Sequence, residues 1–323
     1  MPKVFVTRPI SEAGIKLFRE KGYEILINKK ARDRAASEKE LINGIKGAHA
    51  LLSILTDKIT SKIMDIGLPY LKIIANFAVG FDNIDLEAAK QKNIMVTNTP
   101  DVLTNTVAEH TFALMLAIAH RISEADRFSR AGKYKAWGPE LLLGTDLSGK
   151  TLGIVGLGRI GSRVAHHGVV GFDMKVVYTD IKQDVEFEQE FGARFAPTID
   201  ELLAQCDFVS IHVPLLSSTH HLINEDRIKK MKKTAYLINT SRGPVIDEKI
   251  LAKALKEKWI AGAAIDVFEF EPDITRELKK LDNIILTPHI ASATKETRDK
   301  MAILAAENII DALEGRIPRN LVK

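Results

Sequence analysis

Three ionisable side chains stand just beyond short apolar runs: Arg242 after "AYLINTS", Glu271 a few residues after "AGAAIDVF", and His289 after "NIILTP". Residues so placed belong at the carboxyl ends of parallel strands, where a doubly wound sheet gathers its chemistry. Their types are complementary. An arginine offers a planar fork of donors that suits a carboxylate and a carbonyl at any working pH. A histidine gains or loses a proton near neutrality, and a carboxylate close by favours its protonated form. A carboxylate anchor, a proton donor and a group that tunes the donor would together serve the reduction of a 2-oxoacid beside a nicotinamide. Taken singly, each has a plainer reading: Arg242 as a surface charge, Glu271 as one of several acids in "EFEPD", His289 as a helix cap before "IASAT".

A nicotinamide needs a dinucleotide site, and "GIVGLGRIGSRVA" from Gly153 to Ala165 has the GxGxxG spacing for one. The context is complete: "KTLGIV" supplies a strand, "RIGSRVAHHG" opens a helix, and "KVVYTD" ends in Asp180, 19 residues past the third glycine. Gly156 would make the tight turn, Gly158 would clear the pyrophosphate, and Gly161 would let helix approach strand. The pyrophosphate would then rest on the helix N-terminus. Asp180 is placed to accept hydrogen bonds from the adenine ribose and to repel a 2′-phosphate, which favours NAD (as NADH) over NADP; Lys182 nearby softens that preference.

Positioning these groups requires elements, and the chain reads as two series of them. Its 323 residues, 46% apolar, are enough for roughly two domains of about 100 to 200 residues. "KVFVT", "YEILI", "HALLSI", "LKIIANF" and "IMVTNT" alternate with amphipathic stretches in the first hundred residues, as βα units on a parallel sheet do. A second, longer series runs through "TLGIVG", "MKVVYTD", "DFVSIHV", "AYLINTS", "AGAAIDVF" and "NIILTPH". Between them, "TNTVAEHTFALMLAIAHRISEADRFSRAG" predicts a buried helix of about 28 residues. "KYKAWGPELLLGTDLSGK" then reads as an ordered loop, and "RDKMAILAAENIIDALEG" as a terminal helix. The cofactor domain is thus expected to be inserted into a βα domain that begins at Met1, breaks off near Pro100 and resumes after His289, with two linking segments that invite hinge closure.

Several partners are excluded as expectations. The start lacks a secretory signal, the longest apolar run, "FALMLAIA", is far short of a membrane span, and a cytoplasmic location is expected. The net charge of +4 comes from scattered basic residues, which argues against nucleic acid; "KKMKK" (229–233) reads as a solvated helix end. Cys206 has no CxxC partner and reads as a small apolar residue. His166-His167 and His220-His221 are adjacent pairs whose side chains do not share a face, so no metal site is expected.

The stretches "AVGFDNIDLEAA", "TNTPDVLTNTVAEHTFALML", "GKTLGIVGLGRIG", "KKTAYLINTSRGPVIDEKILAKAL", "AGAAIDVFEFEP" and "NIILTPHIASAT", in this order, resemble the signatures of the D-isomer-specific 2-hydroxyacid dehydrogenase family over essentially the whole chain, closest to its glyoxylate and hydroxypyruvate reductases. The resemblance implies an α/β fold of two doubly wound parallel-sheet domains: a Rossmann NAD-binding domain (101–289) inserted into a flavodoxin-like, discontinuous substrate domain (1–100 plus 290–323). It implies an NADH-dependent oxidoreductase that reduces a small 2-oxoacid to the 2-hydroxyacid, D-configured where chiral. Arg242, Glu271 and His289 fall on the family's substrate-binding arginine, tuning glutamate and acid/base histidine. Val79 and Gly80 fall on the loop whose backbone N–H groups hold the substrate carboxylate, in the manner of an anion nest. Thr106, Arg159, Ile160, Asp180, Val213, Pro214, Thr240 and Asp266 match cofactor-contacting positions, Asp266 at the nicotinamide carboxamide. Trp137 resembles a tryptophan that reaches across a homodimer toward the partner's substrate pocket. "AHHGVVGFDMKV" spaces the dinucleotide helix slightly longer than the family usually does, and the C-terminal regulatory domain of long phosphoglycerate dehydrogenases is not expected here. A D-3-phosphoglycerate or D-lactate type of dehydrogenase shares most of these motifs. From another class, NAD-sensing corepressor-like binding proteins share the fold; turnover of NADH with glyoxylate separates the two.

Overall fold

The computed structural model describes residues 1–322. The chain divides into two compact units, one built from residues 1–103 with the stretch from Ser292 onward, the other from Thr104–Ala291.

The first unit alternates strand and helix: β1 (Lys3–Val6), α1 (Glu12–Glu20), β2 (Glu24–Ile27), α2 (Glu38–Ile45), β3 (Ala50–Ile54), α3 (Ser61–Gly67), β4 (Ile73–Phe77), α4 (Leu86–Gln91) and β5 (Met95–Thr97). All five strands pair in parallel in the order β2-β1-β3-β4-β5. A parallel strand covered on both faces reads as an unbroken apolar run, and β4, "IIANF", is buried at every position. Local signals set the helix ends: Ser37 and Glu40 form a reciprocal capping box at α2, and the Asp85 side chain accepts from Ala88 N at α4. The final helix of the chain, α12 (Lys295–Leu313), returns to this unit and packs on α1 and β4.

The second unit begins with α5 (Thr104–Ala119) and α6 (Ile122–Arg130), followed by β6 (Thr151–Val155), α7 (Arg159–Phe172), β7 (Lys175–Thr179), α8 (Val185–Phe191), β8 (Arg194–Phe195), α9 (Ile199–Gln205), β9 (Phe208–Ile211), α10 (Glu225–Lys230), β10 (Tyr236–Asn239), α11 (Glu248–Lys256), β11 (Gly262–Ile265) and β12 (Ile284–Leu286). Its seven strands are parallel in the order β12-β11-β10-β9-β6-β7-β8. Each face of the sheet carries its own core. One is built on Val155, Leu202, Val209, Leu237 and Leu251, the other on Phe112, Met115, Ile154, Val164 and Tyr178. Cys206 lies within the first, and burial pushes its thiol up to about 12, so it is neutral packing rather than a nucleophile.

Two expectations need correction. The single 28-residue helix is broken: Arg121 adopts a left-handed conformation (φ 54°) and separates α5 from α6. The break follows from a backbone contact, because the chain returns at Gly144 and Thr145, and Thr145 N donates to the carbonyl of Ala119 at 2.9 Å. Strand β8 was absent from the sequence reading; two residues, "RF", are too few to show a period of two.

Candidate active site

In a parallel sheet all strands end on one edge, and the second unit puts its chemistry there. Arg242 follows β10, Asp266 and Glu271 follow β11, and His289 follows β12, three neighbouring strands. The turn after β10 is held by Asn239, which is buried: its side-chain oxygen accepts from Ser241 N (3.0 Å) and its amide donates to the Arg242 carbonyl (2.9 Å). Arg242 Nη1 in turn donates to the carbonyl of Ser241 at 2.9 Å.

Glu271 and His289 are hydrogen-bonded to each other. His289 Nδ1 lies 3.0 Å from Glu271 Oε2 and 3.2 Å from Oε1, with both side chains about a quarter exposed. Glu271 Oε1 also accepts from Phe268 N at 3.0 Å, which fixes the carboxylate within its own turn. With Nδ1 engaged, Nε2 is the ring nitrogen left to exchange a proton with a substrate.

His289 itself is left-handed (φ 54°), a conformation that costs a residue bearing a Cβ about 1–2 kcal/mol. Asp266 compensates. The His289 N–H donates to the Asp266 carbonyl (2.8 Å), while the Asp266 carboxylate accepts from Thr287 Oγ1 (2.6 Å), Ile290 N (2.9 Å) and Ala291 N (2.8 Å). His110 of α5 stands 3.5 Å from the same carboxylate. Burial pushes the Asp266 carboxyl up, but hydrogen bonds from His110, Thr287 and the two amides outweigh it and hold the group below its ordinary range. Asp266 is fully buried, so its carboxylate is committed to the loop that carries His289 rather than open toward a ligand.

The dinucleotide motif has the local geometry its sequence calls for. Gly156 turns at φ 94°, and a Cβ on Gly161 would stand 2.0 Å from the Gly156 carbonyl oxygen, so helix and turn approach as closely as glycine permits. Gly158 caps α7 with no side-chain hydrogen bond, and a Cβ there would meet nothing within 4 Å. That leaves a 14-residue helix with no side-chain cap at its N-cap residue, beside open space, which suits a pyrophosphate. Asp173, within "AHHGVVGFDMKV", closes α7 in a left-handed cap (φ 52°). Asp180, at the end of β7, accepts from Leu157 N of the glycine turn and from its own neighbour Ile181 N, both at 2.6 Å. Arg159 and Ile160 open α7, Val213 and Pro214 follow β9, and Thr106 lies in the first turn of α5. Thr240 follows β10, its hydroxyl 3.0 Å from that of Thr111 on α5.

In the first unit, Val79 and Gly80 follow β4. Both carbonyls are occupied: Asn98 donates to that of Val79 and Asn76 to that of Gly80, each at 2.8 Å. Asn76 is fully buried and also bonds Asn83 and Ser53. Trp137 is 80% exposed on the segment leading into the amino-terminal end of β6, whereas the triad stands at carboxyl ends. Sequence reading missed Asn76, Asn98, Asn239 and His110. Asn76 had a signal, a lone amide inside the apolar run "LKIIANF", since a polar side chain in a buried strand must find partners.

Among the described residues no cluster of three or more His, Cys, Asp or Glu could hold a metal ion, and no helix is long and apolar enough to cross a membrane.

The chain is similar to known proteins over nearly its whole length. Residues 112–291 match the family model "D-isomer specific 2-hydroxyacid dehydrogenase, NAD binding domain". The chain is 49% identical over 323 residues to a glyoxylate reductase of Korarchaeum cryptofilum, covering 99% of this chain and 96% of that one. Among solved structures it is similar to a D-lactate dehydrogenase of Aquifex aeolicus complexed with NAD and lactic acid, with TM-score 0.86, 32% identity, and 99% and 98% of the two chains covered. It is also similar to an NADPH-dependent glyoxylate/hydroxypyruvate reductase of Sinorhizobium meliloti in complex with NADP and malonate, with TM-score 0.84, 29% identity, and 99% and 96% covered. Fold, strand-end chemistry and full-length likeness converge: the chain belongs to the D-isomer-specific 2-hydroxyacid dehydrogenase family.

Proposed function

We propose that this enzyme reduces a small 2-oxoacid, glyoxylate or hydroxypyruvate, with NADH, giving the D-isomer where the product is chiral. The observation that carries the reading is the His289–Glu271 pair at 3.0 Å on the edge of the dinucleotide-binding sheet. When bound, the reduced nicotinamide supplies a hydride to the carbonyl carbon. The charge that develops on the carbonyl oxygen takes the proton of His289 Nε2, and the 2-hydroxyacid forms. Glu271 engages His289 Nδ1 and so orients the imidazole with Nε2 toward the carbonyl oxygen. Arg242 holds the substrate carboxylate and polarises the carbonyl, and the N–H groups of Val79 and Gly80 hold the carboxylate, the first in a peptide whose Ala78 carbonyl accepts from Thr99 N and the second in a peptide whose Val79 carbonyl accepts from Asn98.

Thr106, Gly156, Gly158, Arg159, Ile160, Gly161, Val213, Pro214 and Thr240 line the dinucleotide in this reading. Asp180 sets the preference for NAD: a carboxylate pinned by two amides repels a 2′-phosphate. Asp266, which family likeness sets at the nicotinamide carboxamide, acts here through the His289 loop. The enzyme is taken as a cytoplasmic homodimer. Tyr134, Trp137, Leu141 and Leu143 are exposed along one segment, an apolar surface that a second copy would cover while bringing Trp137 to its neighbour's substrate.

The test is a comparison of catalytic efficiency for glyoxylate, hydroxypyruvate, phosphohydroxypyruvate, pyruvate and a branched 2-oxoacid, with NADH and then NADPH. Glyoxylate or hydroxypyruvate with NADH should lead. A preference of more than about tenfold for phosphohydroxypyruvate, equivalent to about 1.4 kcal/mol in transition-state binding, would reassign the substrate.

A further inference from the structure

Glu248 opens α11, where an acidic residue ordinarily complements the helix dipole from the surface. Here it is only 2% exposed, and Asp247 already caps the helix by accepting from Ile250 N at 3.1 Å. The Glu248 carboxylate is used elsewhere. Its Oε2 accepts from Glu269 N at 2.8 Å and its Oε1 from Thr275 N at 2.9 Å. Glu269 answers in kind: its Oε2 accepts from Glu248 N at 3.1 Å, and its Oε1 lies 2.9 Å from His221 Nε2. Asp247 Oδ2 is the other charged group near His221, 3.9 Å from its Nδ1.

The segment between these anchor points, Glu269 to Thr275, contains Glu271. It is further closed on itself by Asp273 N donating to the Phe270 carbonyl at 2.8 Å. Its entry is also walled: a Cβ on Gly243 would stand 1.9 Å from the carbonyl carbon of Phe268. We infer that Glu248, with Glu269, is a positioning residue of the reaction: it grips both ends of the Glu271 segment and so sets the Glu271 carboxylate against His289. A buried carboxylate is retained in a protein where its hydrogen bonds are all made, and here the two amides that donate to it flank Glu271. The inference rests on the assignment of His289 and Glu271 as the acid pair.

The experiment uses the full-length enzyme and the best 2-oxoacid of the panel, with Glu248→Gln, Glu248→Ala, Glu271→Gln and the double variant Glu248→Gln/Glu271→Gln. Misplacing Glu271 should lower kcat by about 10- to 100-fold in Glu248→Ala, less in Glu248→Gln, with KM for NADH nearly unchanged. The alkaline limb of the reductive kcat profile should move in the direction that Glu271→Gln moves it, and the double variant should fall well short of the product of the single losses. If Glu248→Ala does not fold, Glu248→Gln serves, since it keeps one acceptor and the side-chain volume. The positioning role is overturned if Glu248→Gln keeps the parental pH profile and the losses multiply. It is equally overturned if a crystal structure of that variant retains His289 and Glu271 at about 3.0 Å while kcat falls. Should Glu271→Gln itself leave the profile unchanged, the acid pair is what fails.

Discussion

Asp266 and His289 hold each other through the backbone: the His289 N–H meets the Asp266 carbonyl at 2.8 Å, and the next two amides close on the Asp266 carboxylate. His289 is therefore mounted on a loop fixed by a buried anion from the adjacent strand. Replacing that anion with a neutral isostere, Asp266→Asn, turns an NH₂ toward at least one of the donors it now satisfies. The variant should lose about 1–3 kcal/mol in chemical denaturation at neutral pH. Because the Asp266 carboxyl is held below its ordinary value, its contribution is present above that value, about 3.9, and is lost as pH falls through the folded one. The gap between parent and variant should close under acid, and a gap that widens below about pH 4 would contradict the assignment.

Removing the acid tests the chemistry directly. His289→Ala should reduce turnover by about 10²- to 10⁴-fold while NADH still binds, as followed by quenching or transfer of its fluorescence. Parental reduction of glyoxylate by this variant would remove His289 from the role.

Glu271→Gln keeps the shape of the partner and deletes its charge. Losing the anion favours the neutral imidazole, so the reductive profile should shift toward lower pH. A profile superimposable on the parent's would show that the 3.0 Å contact does no tuning.

Gly243 carries a different kind of constraint. A methyl group there would lie 1.9 Å from the Phe268 carbonyl carbon and 2.4 Å from Glu269 N, both backbone atoms with little room to move. Gly243→Ala should cost about 1–3 kcal/mol in stability and disturb Arg242 and Glu271 together, visible as a rise in KM for the oxoacid and a fall in kcat. Parental kinetics and stability would mean the two turns move apart freely.

Cofactor preference has its own test. Asp180→Asn removes one negative charge without removing the side chain that steadies the glycine turn, and should shift the ratio of NADPH to NADH efficiency by at least about tenfold toward NADPH. An unchanged ratio would put discrimination elsewhere, for instance at Lys182.

What the sequence disclosed and what it withheld divide along physical lines. The strands and the three strand-end residues were legible because buried parallel strands leave continuous apolar runs, and a charge immediately after one stands out. The helix break at Arg121 was not, since it arises from a distant backbone contact at Thr145 and involves no glycine or proline of its own. Glu248 looked like any acid in a first helical turn, and only its burial reveals another use. Asp266 was assigned to the cofactor by family likeness, whereas its carboxylate partners lie twenty or more residues downstream.

The two asparagines behind Val79 and Gly80 bear on how anion binding is driven. With both carbonyls already tied at 2.8 Å, the loop gives up its rotational freedom when the chain folds rather than when the oxoacid arrives. Carboxylate capture should then show a small entropic cost and fast association, and loosening either amide should appear first in the calorimetric signature of binding, before any contact to the substrate is lost.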